Sequence, residues 1–461
     1  MAGSRAIQCI GPSYHLADRK SAVQRTVNLY MREVEGVGED LQVVLDSAPG
    51  LVEYADLGAT VRGSYATDTR WFVAAGQQLY ELTSGSAVSM GSLASTSGFV
   101  SMCHGRDQLV AVDGQNGYVL RLNTDDFAQI TDSDWRGADH VVEIDGYFVF
   151  VDPDTDQFYL SAIDDATSLD ALDFSSADKQ PDNIVTHRVH KSELVFLGTT
   201  SGEFWVNSGD ADFPFVRYNS TPMDVGIVGK RAVVGAADTL FWVGQTKSSR
   251  GIVYMLVGHQ PVPVSDAAVH EALQAPGVDL SQCVLSTYQR GKNEFVCVNA
   301  PGMSTTWCYD AVTKQWHERA RLDNGEFAPR QDEAFVLFGG QVYTYFGTKI
   351  YRVDPSAYTL AGDPLVRERT WPHLRNPSME PIAFRGLELG CTTGYGGNIS
   401  LTLSNDGGTT WGPPLLRSLG AIGQWMQRVR WLNLGSAHDR VFRLRCSEAV
   451  PLTIHQAAVD A

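Results

Sequence analysis

Short stretches of alternating apolar and polar residues, separated by tight polar turns, dominate the chain. The clearest is 305–318, where Trp307 and Tyr309 alternate along a first strand, a polar turn follows, and Trp316 opens a return strand. Side chains two residues apart share one face of a strand, so Trp307 and Tyr309 point to one side and Cys308 to the other. This pattern predicts a β-hairpin whose register is fixed by aromatic pairs.

The same order of small, aliphatic and aromatic residues returns at intervals of roughly 38 to 55 residues. The further copies lie at 76–82, 117–121, 157–160, 202–206, 251–256 and 347–354. Such spacing is typical of the four-stranded blades of a β-propeller, in which small sheets pack against each other around a central channel. The predicted fold is therefore all-β, with a propeller of six or seven blades. A set of β-sandwiches is the alternative.

The rest of the pattern divides the chain into three predicted parts. Residues 1–60 lack the blade pattern, and we expect an extended N-terminal arm that either closes the ring with an added strand or reaches a neighbouring subunit. Residues 61–371 form the predicted propeller. Beyond them the strands lengthen, which predicts a C-terminal β-sandwich at 372–461. Within the propeller, 265–273 predicts a helix with Ser265 as its N-cap.

Composition narrows the classes of function. The 461 residues carry a diffuse formal charge of −17, which argues against a nonspecific DNA binder with a basic patch. An acidic surface could let DNA pass without adhering, although ordinary solubility explains the charge equally well. No apolar run approaches the roughly 20 residues that cross a bilayer, so we expect no membrane insertion. Residues 1–6 lack the apolar core of a signal peptide, which predicts synthesis in a cytosol.

No pattern predicts a catalytic, cofactor-binding or metal site. The seven cysteines are scattered within apolar strands and lack a C-x-x-C pair, so we expect free buried thiols. The segment 152–157 imitates the start of a calcium loop but has no glycine at position six and no glutamate at position twelve. His187 and His190 are three residues apart, which places their rings on opposite faces of a strand. The seven cysteines mentioned above are Cys9, Cys103, Cys283, Cys297, Cys308, Cys391 and Cys446.

One motif near the C-terminus has a known structural role. Residues 404–411 match S-x-D-x-G-x-T-W, the Asp-box of sialidases and related propellers. In that motif, Ser and Asp cap a turn, glycine takes a positive φ, and Trp packs beneath. Because the motif occurs once and outside the predicted propeller, we interpret it as a hairpin element. A glycosidase would also need two facing carboxylates, which sequence cannot show.

Arginines alternate with apolar residues on two late strands. Arg428 and Arg430 flank Val429, and Arg443 and Arg445 flank Leu444. This alternation places the apolar side chains inward and the arginines outward. A solvated sheet face is the simplest interpretation. The alternative is a protein contact surface, since arginine is enriched at interfaces, and the four arginines are the candidate interface residues.

A series of short landmarks runs along most of the chain. The landmarks are Val-Asn-Leu-Tyr at 27–30, Pro-Gly-Leu at 49–51, Val-Arg-Gly at 61–63, 100–106, 180–185, Phe-Trp-Val-Asn-Ser-Gly at 204–209, and the late Arg-x-Arg-Trp strand at 428–431. Each landmark is short, but the series as a whole resembles the packaged-DNA stabilisation proteins of short-tailed phages.

The resemblance implies a structural virion protein, the tail hub or nozzle. Such a protein forms a homo-oligomeric ring, a hexamer on the family pattern, below the portal and its adaptor ring. The ring helps to retain packaged DNA and forms part of the channel through which double-stranded DNA is ejected. It also anchors a tail needle or plug and tailspikes or tail fibres. The implied location is the phage tail in the virion, after synthesis in the host bacterial cytoplasm, and no enzymatic activity is implied.

Two other functions compete with this interpretation. A carbohydrate-binding or sialidase-like propeller would explain the Asp-box. A cytosolic kelch-like scaffold would explain the aromatic hairpin at 305–318.

Overall fold

The computed structural model describes residues 5–35, 41–178, 180–330 and 332–461, whose regular secondary structure consists almost entirely of β-strands. Residues 1–4 and 36–40 of the predicted arm, and 179 and 331 of the predicted propeller, lie outside the described residues. Seven small antiparallel sheets follow one another and are called blades 1 to 7. Among the described residues, no helix is long and apolar enough to span a membrane.

Blades 1 to 4 are four-stranded meanders, each with its first strand innermost. Blade 1 comprises Val61–Ala66, Trp71–Ala75, Gln78–Thr83 and Ser86–Ser92; blade 2 comprises Ser101–Gly105, Gln108–Val112, Gly117–Arg121 and Phe127–Gln129; blade 3 comprises Val141–Ile144, Tyr147–Val151, Gln157–Ala162 and Asp165–Ser176; and blade 4 comprises Ile184–His190, Glu193–Gly198, Gly202–Asn207 and Phe215–Met223.

Blades 5 to 7 vary this plan. Blade 5 comprises Gly226–Ile227, Val233–Ala236, Thr239–Gln245, Arg250–Val257 and Gln260–Pro263; blade 6 comprises Val284–Arg290, Asn293–Asn299, Thr306–Asp310 and Gln315–Asp323, with Glu326–Pro329 paired to its last strand; and blade 7 comprises Phe335–Phe338, Gln341–Phe346, Lys349–Asp354 and Gly50–Asp56.

The blades form a closed ring. The innermost strands of neighbouring blades contact each other from blade 1 to blade 4, from blade 5 to blade 7, and between blades 7 and 1. Blades 4 and 5 contact each other through Glu193–Gly198 and Gly226–Ile227. Gly50–Asp56 pairs with Lys349–Asp354 as the fourth strand of blade 7. A strand that precedes blade 1 in sequence therefore completes the last blade.

The hairpin that dominates the sequence pattern is confirmed. Trp307 lies opposite Glu318 and Tyr309 lies opposite Trp316 across the Thr306–Asp310 strand and its partner. Trp307, Tyr309 and Trp316 pack into the largest hydrophobic core, whereas Cys308 faces a second core on the other side. The alternation of side chains thus lets one strand serve two cores.

The α-helix spans Ala267–Leu273, close to the predicted segment, but its predicted cap is wrong. Asp266 is the N-cap, and its carboxylate accepts a hydrogen bond from the Val269 backbone N–H. The Ser265 hydroxyl instead accepts from the backbone N–H of Val253 in blade 5. Serine and aspartate are both good N-caps. Because the Ser265 hydroxyl is used in a tertiary hydrogen bond, Asp266 is the N-cap.

A β-sandwich follows the propeller. Its first sheet contains Leu29–Glu35, Leu41–Ser47, Thr453–Asp460, Gly386–Cys391 and Val429–Leu432 in spatial order, with Arg5–Ile7 beside Thr453–Asp460. Its second sheet contains Val23–Val27, Arg367–Thr370, Asp439–Cys446, Asn398–Ser404 and Leu415–Ser418. Short pairings are Tyr14–His15 with Val23–Val27, Leu374–Arg375 with Asp439–Cys446, Ile382–Ala383 with Ser436–Ala437, and Thr359–Leu360 with both Gly50–Asp56 and Asp363–Pro364.

The N-terminal segment is extended and paired along much of its length. Its strands belong to both sandwich sheets and to blade 7. A ring-closing strand was one of the two predicted alternatives, whereas the pairing within the sandwich was not predicted from the sequence. One of them, Val23–Val27, pairs with strands of both units. The division at residues 60 and 371 stays a prediction.

The second sandwich sheet is continuous with blade 6. Val23–Val27 pairs in parallel with Gln315–Asp323 on one side and antiparallel with Arg367–Thr370 on the other. Directly after this strand, Asn28 adopts a left-handed conformation with φ 53°. Its side-chain amide donates to the carbonyls of Ala320 and Val366, and its Oδ1 accepts from the Ala320 N–H. Asn28 therefore fixes the corner at which the chain leaves one sandwich sheet for the other.

A buried carboxylate lies at this junction. The Glu318 side chain is fully buried, and Arg25 donates to both of its oxygens, at 3.0 Å from Nε and 2.5 Å from Nη2. Ser13 and Thr305 hydroxyls donate to the same two oxygens at 2.8 Å. Burial alone would raise the pKa of Glu318, but Arg25 and His15 hold that pKa well below its usual value. The four donors come from both units of the protein.

We predict that Glu318→Gln lowers the free energy of unfolding by about 3 kcal/mol, because it leaves Arg25 without its charge partner. A glutamine amide would also turn an N–H donor toward groups that are themselves donors. The lowered pKa means that Glu318 stabilises the fold above its unfolded pKa of about 4.3 and loses that effect as the pH falls. The loss in Glu318→Gln should therefore be full at pH 7 and shrink below about pH 4.

Guanidinium unfolding followed by tryptophan fluorescence measures this loss. Glu326→Gln is the matched control, because Glu326 is an exposed carboxylate on the neighbouring strand. An equal loss in the two variants, or a loss in Glu318→Gln that does not change with pH, would contradict the assignment.

Candidate assembly surfaces

The four candidate interface arginines lie on two different faces of the sandwich. Arg428 and Arg430 project from the outer face of the first sheet, and Arg443 and Arg445 project from the outer face of the second. The side chains between them fill the single core that separates the two sheets: Val429, Trp431, Phe442, Leu444 and Cys446. The alternation predicted from sequence is thus observed, but it produces two surfaces rather than one.

Arg443 and Arg445 lie in a cleft between the sandwich and blade 6, which we call the arginine cleft. Its volume is about 390 Å³. The charged and aromatic side chains that line it are His15, Arg19, Arg25, Glu326, Phe327, Glu368, Trp411, Arg443 and Arg445.

The two arginines of the cleft have different partners. Arg445 donates to the buried Glu368 carboxylate at 2.6 Å, and its guanidinium carbon lies 5.1 Å from the centre of the Phe327 ring. Arg443 donates to the Thr402 hydroxyl and lies 4.0 Å from the centre of the Trp411 ring, with no ion pair among the described residues. Arg445 therefore neutralises a buried charge, and Arg443 does not.

The electrostatic surroundings of Arg443 also differ from those of Arg445. Burial lowers the pKa of Arg443, and the positive charges of Arg445, Arg25 and Arg19 lower it further, while Glu368 partly offsets them. A half-buried guanidinium among like charges gains little from its charge. The stacking of Arg443 on Trp411 is thus its main favourable contact.

Trp411 belongs to the Asp-box, which forms the predicted capped turn. The Ser404 hydroxyl accepts from the Gly408 N–H at 2.8 Å, and the Asp406 carboxylate accepts from the backbone N–H and hydroxyl of Thr410. These hydrogen bonds hold the pKa of Asp406 below its usual value. Gly408 has φ +85°, a conformation that favours glycine. The motif positions Trp411 beneath Arg443.

Arg428 and Arg430 border a second surface, at the far end of the sandwich. Arg428 contacts Glu388 at 2.7 Å and Arg430 contacts the same carboxylate at 3.2 Å. Nearby, Arg417 donates to the main-chain carbonyls of Leu416 and Arg430. Arg428 and Arg430 therefore share one carboxylate, and the guanidinium of Arg417 is held by main-chain carbonyls instead.

Large apolar side chains are exposed beside these arginines. Met426 is 94 % exposed and Ile422 is 86 % exposed. Trp425 packs edge-on against Tyr395 at 5.0 Å and covers Gly394, where a Cβ would lie 2.5 Å from the indole ring. We call this surface the tip patch, defined by Tyr395, Leu416, Arg417, Ile422, Trp425, Met426, Arg428, Arg430 and Leu432.

Of the tip patch, only Arg428 and Arg430 were predicted as interface residues from the sequence. The signal that could have identified its apolar part is 419–426, where Ile422, Trp425 and Met426 stand among glycines without strand alternation. Apolar residues in a glycine-rich loop cannot all reach a core. Exposed aromatic, methionine and arginine side chains together have the composition of a protein interface.

The histidines and cysteines considered in the sequence analysis lie within the fold and do not form a ligand-binding arrangement among the described residues. His187 is buried, with Nε2 3.1 Å from the Val149 carbonyl, and burial lowers its pKa to about 3. His190 lies elsewhere on the same strand and is half-buried. No group of three histidine, cysteine or acidic side chains in the described ranges is arranged to hold a metal ion. The seven cysteines are free thiols, six of them buried.

The loops that precede the innermost strands surround a cavity of about 500 Å³ at one end of the propeller axis. Its charges are mixed. Lys230 forms an ion pair with Asp139, and Arg231 contacts Glu333 at 3.1 Å. The acidic excess of the chain is not concentrated at this mouth.

We predict opposite outcomes for the two cleft arginines. Arg445→Met should lower the free energy of unfolding by about 1–2 kcal/mol, because it leaves the buried Glu368 without its ion-pair partner, an effect partly offset by solvent, by Arg25 and by the Thr370 hydroxyl. Arg443→Met should change it by less than about 0.5 kcal/mol, because it removes a repelled charge and keeps an apolar contact with Trp411. Guanidinium unfolding of the two variants checks this, and an equal loss in both would contradict it.

Two family models match the chain. The model described as bacteriophage P22 Gp10, beta-propeller, matches residues 24–330, and the model described as bacteriophage P22 Gp10, beta-sandwich, matches residues 367–461. No curated protein matches the chain.

Several solved structures are distantly similar. The N-terminal domain of Nup159 is 12 % identical over 72 % of this chain and 99 % of that chain, with a TM-score of 0.41. The Neurospora crassa Pan2 WD40 domain is 6 % identical over 67 % of this chain and 96 % of its own, with a TM-score of 0.44. The extracellular domain of a putative one component system from B. thetaiotaomicron is 8 % identical over 76 % of this chain and 45 % of that chain, with a TM-score of 0.45.

The two family models name the two units that the strand pairing shows, in the same order. The propeller model alone spans well over half of the chain. The chain therefore belongs to the Gp10 family of bacteriophage P22, and it is an all-β protein with a β-propeller followed by a β-sandwich.

Proposed function

We propose that this chain is a structural virion protein, the tail hub or nozzle of a short-tailed phage. In this role it forms a ring of identical subunits, six on the family pattern, that docks below the portal and its adaptor ring. The ring helps to retain packaged DNA and forms part of the ejection channel. The observation that carries the proposal is the match of both units to phage Gp10 family models.

The junction between the propeller and the sandwich is consistent with a subunit that must resist mechanical force. Blade 6 continues into the second sandwich sheet through Val23–Val27, and Glu318 accepts hydrogen bonds from groups in both units. A shared sheet resists bending between units better than a flexible linker, because moving one unit would break main-chain hydrogen bonds. A subunit of a ring that holds DNA under pressure needs such a connection.

The surface chemistry fits assembly rather than catalysis. The tip patch exposes aromatic, methionine and arginine side chains, which is the composition of interfaces. The Asp-box, the feature that suggested a sialidase-like propeller, caps a turn and positions Trp411. No specific observation favours a carbohydrate-active function.

The proposed partners follow from this role. They are other copies of the chain, the adaptor ring, a tail needle or plug, and tailspikes or tail fibres. Double-stranded DNA would pass transiently, and the diffuse charge of −17 would limit its adhesion to the channel wall.

We predict that the purified chain binds the portal–adaptor complex of its own phage and forms a ring at the distal face of the adaptor. Cryo-electron microscopy of the mixture would show the added ring and the copy number. Portal without adaptor is the control and should show no added ring. Failure to dock on the adaptor would contradict the proposal.

Protection of packaged DNA in phage capsids provides a second test. Capsids assembled without the chain should package DNA and then lose it, so that DNase degrades most of the genome. Adding the purified chain after packaging should restore protection. Equal protection with and without the chain would contradict the role in DNA retention.

A further inference from the structure

The outer edge of blade 3 carries a surface that no intramolecular contact neutralises. Asp165–Ser176 is the outermost strand of this blade, twelve residues long, and it departs from regular pairing at two bulges. Leu172, at its centre, is 79 % exposed between Asp170 and Asp173. We call residues Asp170, Leu172 and Asp173 the acidic edge.

The carboxylates of the acidic edge repel each other. Burial raises the pKa of Asp173, and the negative charge of Asp170 raises it further. Arg136 lies beside this strand, where it donates to the Ala171 carbonyl and lies over the Phe174 ring. Among the described residues, neither carboxylate forms an ion pair with it. The edge thus presents two negative charges around an exposed aliphatic side chain.

The tip patch has the complementary character. Two of its cations, Arg428 and Arg430, share the single carboxylate of Glu388, and Arg417 donates to a main-chain carbonyl. Beside them, Ile422 and Met426 are exposed. An apolar surface with a positive border matches an aliphatic side chain between two carboxylates, both in charge and in hydrophobicity.

The topology places these two surfaces at opposite ends of the molecule. In a ring of seven blades, blade 3 is three blades away from blade 6 and three away from blade 7, the two blades that share strands or direct contacts with the sandwich. Blade 3 therefore lies across the propeller axis from the sandwich.

The tip patch is also remote from the propeller. In the first sandwich sheet, Val429–Leu432 is the fourth strand beyond Leu29–Glu35, and in the second sheet Leu415–Ser418 is the fourth beyond Val23–Val27. At about 4.8 Å between neighbouring strands, this corresponds to roughly 19 Å of sandwich. The tip patch cannot reach the acidic edge of its own chain.

We propose that the tip patch of one copy docks on the acidic edge of blade 3 in a second copy. Leu172 would enter the apolar surface formed by Ile422, Trp425 and Met426, and the bordering arginines would neutralise Asp170 and Asp173. The proposal rests on the ring-forming function proposed above and assigns the surfaces that form the ring. Because the two surfaces differ, the contact is head-to-tail and closes into a ring when the rotation between copies permits it.

Charge reversal tests the assignment. The tip variant is Arg428→Glu with Arg430→Glu, the edge variant is Asp170→Lys with Asp173→Lys, and the combined variant carries all four changes in one chain. Each is added to the portal–adaptor complex, and subunits per complex are counted by native mass spectrometry. Matched controls reverse exposed charges on other blades, namely Lys247→Glu with Arg250→Glu, and Asp210→Lys with Asp212→Lys.

We expect the tip and edge variants each to lower the yield of complete rings by roughly tenfold or more, since like charges would then face each other across the contact. The combined variant should regain rings, because its reversed charges are again complementary. The control variants should form rings as the unmodified chain does. Rings from both single-patch variants, or no recovery in the combined variant, would overturn the proposal.

Cross-linking keeps the test independent of ring stability. A chain with Leu172→Cys and Met426→Cys should give a ladder of cross-linked copies with a short bismaleimide, and each single-cysteine variant should give none. Dimers from Met426→Cys alone would instead show a symmetric contact between two tip patches and overturn the assignment. The unmodified chain controls for native thiols, of which only Cys391 is not fully buried.

The outcomes separate this inference from the proposed function. If the unmodified chain does not dock on the adaptor, the proposed function fails. If it docks and forms rings while both single-patch variants do the same, the function stands and the assigned surfaces are wrong. If the tip variant forms rings but no longer binds spikes or fibres, the tip patch belongs to another partner and the assignment is again overturned.

Discussion

The ion pair between Glu318 and Arg25 is the contact on which the relation between the two units depends. Glu318 lies in the last strand of blade 6 and Arg25 in the strand that blade 6 shares with the sandwich. A carboxylate buried without partners would be very costly, so its four donors must stay in place for the fold to be stable. The charge therefore specifies one arrangement of propeller and sandwich and disfavours others.

A second group of buried charges reinforces this arrangement without carboxylates. Arg369 is buried and donates to the carbonyls of Cys9, Gly11 and Pro12, and burial lowers its pKa to about 10. Arg367 on the same strand donates to carbonyls of the loop at 448–450. A guanidinium has five donors and can hold several main-chain carbonyls at once. One strand thus fixes both the N-terminal segment, through Arg369, and a C-terminal loop, through Arg367.

The sequence predicted those parts of the structure that depend on local alternation. Trp307 and Tyr309 share a face because the strand period is two, and the Asp-box forms its turn because Ser404 and Asp406 reach main-chain N–H groups within four residues. The fold class and the family followed from such short patterns. The pairing of Val23–Val27 with blade 6 could not be predicted, since its partners are about 290 and 340 residues away. The placement of the four arginines on two sheets could not be predicted either, because alternation gives the side of a strand but not the sheet to which that strand belongs.

The placement of Gly50–Asp56 in blade 7 has a consequence for biosynthesis. Its partner strand is Lys349–Asp354, so the ribosome must add about 300 further residues before the two can meet. Some earlier strands wait longer still, because Arg5–Ile7, Val23–Val27 and Leu41–Ser47 each pair with a strand beyond residue 365. During translation the first segment therefore carries unsatisfied hydrogen-bonding edges, which are sites of aggregation, and ring closure is a late, long-range step. Shielding of the nascent chain should thus matter more for this protein than for a propeller closed by neighbouring strands.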